Sequence, residues 1–327
     1  MTIDLRVILL GITTLCQTFL CWAEDQTLPP GQRIDIGGYC LHLMIKGEPD
    51  PLRPTIILDH SLGGIEGYLL IESLAKLGRV CIYDRAGYGW SDRSPKPRTS
   101  QQIVLELDAL LSCANIEPPY VLIGDSFGSY NVRLYAHCFP EKVAGIVFTD
   151  GLHETGMLNM PIQLQALKLF FISGFLMSIL GSILGIVRVL KTLGSFEWIK
   201  PELKHFSKAN LDYIKRSFCR PKHWITMSQE LWHLDQSGRQ VRVANQFGQL
   251  PIISIKAKSF FKPSFWTLFL PLRSTNRLRE QMHSELLKLS ENVTQLQASK
   301  SDHFVWVDQP QVMVEGVKII LEKIDCH

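Results

Sequence analysis

The chain has 327 residues, 46% of them hydrophobic and 20% charged, and its 34 Lys and Arg against 31 Asp and Glu leave a net charge of +3. This is ordinary globular content with room for one large core and an insertion, and so small a charge points to no nucleic-acid partner. No P-loop, zinc-type Cys/His spacing or Gly-x-Gly-x-x-Gly after a strand occurs, so no cofactor and no metal are expected. The cysteines beyond the first segment (Cys40, Cys81, Cys113, Cys138, Cys219 and Cys326) are too scattered to read as a disulfide framework.

Residues 1–23 differ in kind from the rest. Arg6 is followed by an uncharged stretch over residues 7–23, and Cys21 and Ala23 place small residues at both positions that signal peptidase inspects. A signal peptide cleaved after Ala23 is expected, which would make the protein secreted or envelope-located; an uncleaved membrane anchor is the alternative. Past Pro29-Pro30, residues 33–46 form two alternating runs about Gly37-Gly38, the pattern of an antiparallel hairpin at a sheet edge. Apolar runs then recur at residues 55–58, 80–83, 120–123 and 143–148 with helical patterning between them, which is repeated βα. The pattern breaks near Met157 and resumes at residues 252–255 and 293–296, so residues 156–247 read as an insertion.

Gly124-Asp125-Ser126-Phe127-Gly128 stands between the apolar run ending at Ile123 and the helix-like stretch that begins at Ser129. Strand, sharp turn and helix make this a nucleophile elbow, which holds a serine at the apex of a strained turn with Oγ pointing away from the sheet. The two glycines occupy places where a side chain would collide with the turn or with the strand-helix packing.

Several further landmarks follow in order. They are residues 54–64 with His60-Ser61-Leu62-Gly63-Gly64, Asp84-Arg85-Ala86-Gly87-Tyr88-Gly89-Trp90-Ser91, residues 146–150 ending in Asp150, and Ser301-Asp302-His303-Phe304. With the elbow, they resemble the serine α/β-hydrolase superfamily over roughly residues 33–155 and 248–327. The resemblance implies an α/β fold: a mostly parallel eight-stranded sheet with helices on both faces, and a helical cap over residues 156–247 inserted between strands 6 and 7. Residues 24–155 and 248–327 would then make up the hydrolase core.

A serine hydroxyl needs a neighbouring base, and the resemblance gives that role to His303; His153, just after another strand, is the rival, and His60 is better placed to shape its loop. The commonest family position for the acid, shortly after residues 252–255, is vacant, because residues 251–279 contain no Asp or Glu. Asp150, at the end of the preceding strand, is the expected replacement and Glu154 the alternative, while Asp302 is too close to His303 in sequence to meet its ring. The backbone N–H groups of Phe127 and Leu62 would form the oxyanion hole. Asp125 stands where relatives often have His, with no role assigned to it.

Residues 169–187 contain no charge over 19 positions, long enough to cross a bilayer. A single crossing there would separate Ser126 from His303, so a cap element is expected, with a re-entrant or membrane-resting segment as the alternative. Residues 188–222 carry nine Lys and Arg against three Asp and Glu, and Phe260, Phe261, Phe265, Trp266 and Phe269 lie among Lys256, Lys258, Lys262, Arg273 and Arg277. A peripheral membrane contact is therefore an expected partner beside a small-molecule acyl substrate. The expected function is a serine hydrolase cleaving an ester, thioester or related acyl bond of an apolar substrate through an acyl-enzyme. The alternative is a non-catalytic ligand-binding or receptor-like protein on the same fold.

Overall fold

The computed structural model describes residues 5–261 and 271–325. One sheet of eight strands organises it: β1 (Gln32–Asp35), β2 (Cys40–Lys46), β3 (Thr55–Asp59), β4 (Val80–Asp84), β5 (Tyr120–Asp125), β6 (Val143–Thr149), β7 (Ile252–Ala257) and β8 (Val293–Ala298), in spatial order β1-β2-β4-β3-β5-β6-β7-β8. The expected hairpin is the antiparallel edge, since β1 pairs β2 and β2 pairs β4 antiparallel, whereas β3 and every later strand run parallel to one another. The helices are α1 (Leu5–Asp25), α2 (Gly67–Leu74), α3 (Ser100–Cys113), α4 (Gly128–Cys138), α5 (Glu154–Leu158), α6 (Ile162–Ile183), α7 (Ile186–Thr192) and α8 (Ser195–Ile199), followed by α9 (Lys208–Phe218), α10 (Pro221–Trp232), α11 (Leu234–Val241), α12 (Leu272–Leu286), α13 (Val305–Asp308) and α14 (Pro310–Asp325).

The strands read as continuous apolar runs because both sheet faces are covered. Successive side chains alternate between the two faces. Ile57, Leu122, Ile146 and Ile252 pack with Leu107 of α3, Tyr130 of α4 and Leu286 of α12. Ile56, Val121, Val147 and Ile253 pack with Leu70 of α2 and Val317 and Ile320 of α14. Parallel strands bring their carboxyl ends to one edge of the sheet, where the loops after β3, β5, β6 and β8 converge, and this is where open α/β sheets bind ligands.

Between β6 and β7 the chain runs through the helices α5 to α11. The charge-free run over residues 169–187 is not one helix: α6 stops at Ile183, and Gly185 turns the chain at φ 78° before α7. Its Cβ-less backbone approaches α1, where an added Cβ would meet the Thr13 carbonyl oxygen at 2.9 Å. The Ala23-Glu24 bond, where cleavage is expected, lies inside α1, and Glu24 is ion-paired to Arg188 and Arg220 of the insertion. Lys262, Phe265, Trp266 and Phe269 of the aromatic and basic stretch lie outside the described residues.

Candidate active site

The elbow begins with register. Asp125 of β5 pairs Thr149 of β6, so the residues that follow, Ser126 and Asp150, leave adjacent strands side by side. Both are forced into the left-handed region, at φ 48° and φ 39°, which costs of order 1–3 kcal/mol each and persists only where the surroundings over-determine it. The Ser126 N–H donates to the Thr149 carbonyl at 2.9 Å, and the Asp150 N–H donates to the Ile255 carbonyl at 2.8 Å. Gly124 and Gly128 leave the space the turn needs: a Cβ on Gly124 would stand 2.5 Å from Val132 Cγ2, and one on Gly128 would stand 2.4 Å from the Asp59 carbonyl oxygen.

His303 follows β8 and reaches across β7 to both residues. Its Nε2 lies 2.9 Å from Ser126 Oγ and its Nδ1 lies 2.7 Å from Asp150 Oδ2. Phe260 stacks on the imidazole with ring centroids 4.4 Å apart and planes 18° from parallel, fixing the ring's plane. Asp150 is buried and collects further donors on Oδ1: Arg279 Nε at 3.0 Å, the Ala257 N–H at 3.1 Å and His283 Nε2 at 2.9 Å. Burial alone would raise its pKa, but the hydrogen bonds from His283 and His303 and the positive charge of Arg279 outweigh it and hold the carboxyl far below the usual carboxylate range. Asp150 is therefore ionised, aimed and unable to turn.

The other candidates go elsewhere. Glu154 accepts from Arg133 Nη1 at 2.8 Å, and His153 Nδ1 lies 2.9 Å from Thr155 Oγ1 at the start of α5. The Asp302 carboxylate takes the Lys200 ammonium at 3.1 Å and the Phe304 N–H at 2.9 Å, away from the His303 ring. His60 Nδ1 accepts from the Gly67 N–H at 3.2 Å and braces its own loop. Among the described residues, no hydrogen-bond acceptor meets the backbone N–H of Leu62 or of Phe127.

The loop that carries Leu62 is held by residues to which the sequence assigned no role. Arg85 donates Nη1 to Asp59 Oδ1 and to the His60 carbonyl, each at 2.7 Å, and Nη2 to the Ser61 carbonyl at 2.8 Å. Its Nε and Nη2 also form a fork with Glu230 of α10, at 2.9 Å on both arms, so the insertion and the loop share one buried guanidinium. Glu66 accepts from the Ser61 N–H. Asp125, beside it, is buried, and burial followed by the negative charge of Glu66 pushes its pKa well above the carboxylate range. Burial and the neighbouring Glu66 carboxylate both disfavour a second negative charge on Asp125.

A cleft of about 350 Å³ between α5, α6 and α10 is lined by Met157, Met160, Leu169, Ile172 and Trp232, among others, and includes neither Ser126 nor His303. Among the described residues no cluster of His, Cys, Asp and Glu is arranged to hold a metal ion.

A family model described as alpha/beta hydrolase fold matches residues 54–179. The strand order agrees with it, and the chain has the α/β-hydrolase fold. It is similar to a protein of Hormonema carpetanum named "Probable transporter efuK", at 24% identity over 89% of this chain and 43% of that one, so it spans less than half of that relative. It is also similar to an AB hydrolase superfamily protein of Gibberella zeae, at 22% identity over 87% of this chain and 92% of that protein. Among solved structures, the enol-lactonase of Burkholderia xenovorans superposes with a TM-score of 0.61 at 14% identity, over 89% of this chain and 100% of that one.

Proposed function

We propose that the protein is a serine hydrolase that cleaves an ester, thioester or related acyl bond of an apolar substrate through an acyl-enzyme, without a cofactor. The observation that carries this reading is the continuous hydrogen-bonded line Ser126 Oγ, His303 Nε2, His303 Nδ1, Asp150 Oδ2, at 2.9 and 2.7 Å. Asp150 accepts Nδ1–H and so leaves the Nε2 lone pair facing the serine. His303 takes the hydroxyl proton as Oγ attacks the acyl carbon, and the carbonyl π pair moves onto oxygen. The N–H groups of Phe127 and Leu62 receive that oxyanion, whose collapse expels the alcohol or thiol with the proton from His303. Water then repeats the sequence on the acyl-Ser126, and the acid leaves with Oγ reprotonated. A serine at the elbow, where an aspartate would be needed for alkyl-enzyme formation on an epoxide or haloalkane, favours acyl transfer over those reactions.

Pre-steady-state hydrolysis of a chromogenic acyl ester tests the reading. A burst of alcohol equivalent to the enzyme present, absent in Ser126→Ala, is expected. Binding of the ester with no turnover in the unsubstituted protein would instead identify a ligand-binding protein on this fold.

A further inference from the structure

The helix α1 is inside out for a protein in water. The side chains it turns toward the rest of the molecule are Thr13, Gln17, Cys21 and Glu24, one polar stripe at helical spacing. Gln17 is 4% exposed while Leu15 and Phe19, on the other side, are 72% and 62% exposed. The insertion helix α6 is apolar on both sides: Leu164, Leu167, Ile172 and Phe175 pack on the core, whereas Phe170 and Met177 are 68% and 66% exposed. In water the apolar stripe of a surface helix faces the core. A polar stripe turned inward and an apolar surface turned outward is the arrangement that lipid favours, because polar groups there must find partners within the protein.

Helix α1 is joined to the insertion beyond α6 at three levels. Gly185, between α6 and α7, lets the backbone of α1 approach, as the close Thr13 carbonyl shows. Gln17 Nε2 donates to the Cys219 carbonyl at 2.7 Å, and its Oε1 accepts from Arg188 Nε at 2.6 Å. At the carboxyl end of α1, Arg188 and Arg220 close on Glu24, while Arg220 and Arg216 close on Asp25 at 2.8 and 3.0 Å. Cleavage after Ala23 would require this helical turn to open and its acids to leave three arginines, since proteolysis acts on the opened state.

We propose that α1 is retained in the working protein, clamped to the insertion by Arg188, Arg216 and Arg220, and that α1 and α6 form one apolar surface seated in a lipid bilayer. Because Ser126 and His303 flank the insertion and meet at 2.9 Å, the chain enters and leaves α6 and α7 on one side of the membrane. Lys191 and Lys204, just beyond the apolar run, have the sign that an anionic headgroup layer attracts.

The test uses the full chain with a carboxyl-terminal tag, expressed with microsomes. Intact mass should retain the residues before Glu24, and the protein should stay in the pellet after alkaline carbonate and be released by detergent. Reconstituted with vesicles of neutral and anionic phospholipid, Phe170→Glu/Met177→Glu should lower the bound fraction about tenfold, one factor of ten per 1.4 kcal/mol of lost interaction. Its thermal midpoint should be unchanged, because both side chains face outward. Arg220→Glu should loosen α1, read as faster protease cutting near residue 25, whereas the conservative Arg220→Lys should keep most of the protection. A soluble product beginning at Glu24 would overturn the proposal. So would an intact, carbonate-extractable dimer that the same α6 substitutions dissociate, which would assign the apolar face to a second copy of the chain.

Discussion

Replacing Asp150 by Asn separates a catalytic line from a merely structural carboxylate. In the folded protein Oδ1 accepts from Arg279, His283 and the Ala257 N–H, and among the described residues Oδ2 accepts from His303 alone. An asparagine keeps its carbonyl oxygen on the side with three donors and turns its NH₂ toward His303. Nδ1 must then accept, the proton moves to Nε2, and a protonated Nε2 cannot take the hydroxyl proton of Ser126. Loss of the correct tautomer should lower kcat by roughly three to four orders of magnitude, about 4–5.5 kcal/mol of transition-state stabilisation, with KM nearly unchanged. Glu154→Gln provides the contrast. It weakens a buried pair with Arg133, at 2.8 Å, and should cost about 1–3 kcal/mol of stability while leaving kcat in place. Steady-state kinetics on a chromogenic short-chain ester, paired with thermal denaturation, reads both quantities. A kcat for Asp150→Asn within tenfold of the unsubstituted protein, or a larger kcat loss in Glu154→Gln, would refute the reasoning.

Three other expectations follow from the same geometry. Gly128→Ala should destabilise the protein by about 1–3 kcal/mol and depress kcat, because the new methyl meets the Asp59 and His60 carbonyls on the loop that carries Leu62; undiminished activity and midpoint would show that this loop is not held against the elbow. Arg279→Gln removes the cation beside Asp150 and one of its donors, so activity should fall and its acid limb should move to higher pH, a shift that a packing defect alone would not produce. Burial, followed by the charge of Lys222, lowers the pKa of His223 to about 3, and burial, followed by the charge of Arg133, lowers that of His153 to about 4. The unfolded chain protonates both near pH 6.5, so stability should be full above that value and fall by about 2.7 kcal/mol per pH unit toward pH 4 from these two groups; denaturant midpoints that stay level from about pH 6.5 to 5 would contradict this.

What the sequence disclosed and what it hid divide along physical lines. Ser126 was legible because strand, glycine, serine, glycine and helix are contiguous, and the strain of a φ of 48° leaves a mark on its immediate neighbours. Asp150 was legible by elimination together with sheet order, since the carboxylate-free stretch after β7 leaves the end of β6 as the adjacent supplier. Arg279 and His283, a turn apart on one face of α12, were not, because nothing local indicates that α12 docks beside β6. Arg85 lies within a legible loop pattern, yet its partner Glu230 lies 145 residues away in the insertion. The reading of residues 1–23 rested on absence of charge and on small residues at two positions. The stripe Thr13, Gln17, Cys21 and Glu24 was visible in the same letters, but it acquires meaning only when Arg188 and Arg220 are brought opposite it.

The central claim, that Ser126 is a nucleophile activated by His303, is most directly tested by exposing the full-length protein to a fluorophosphonate and mapping the adduct by mass spectrometry. The account predicts a single phosphonylated peptide modified at Ser126, with no labelling in Ser126→Ala and strongly slowed labelling in His303→Ala. Undiminished ester turnover in Ser126→Ala, or an adduct on another residue that accounts for all the activity lost, would contradict it.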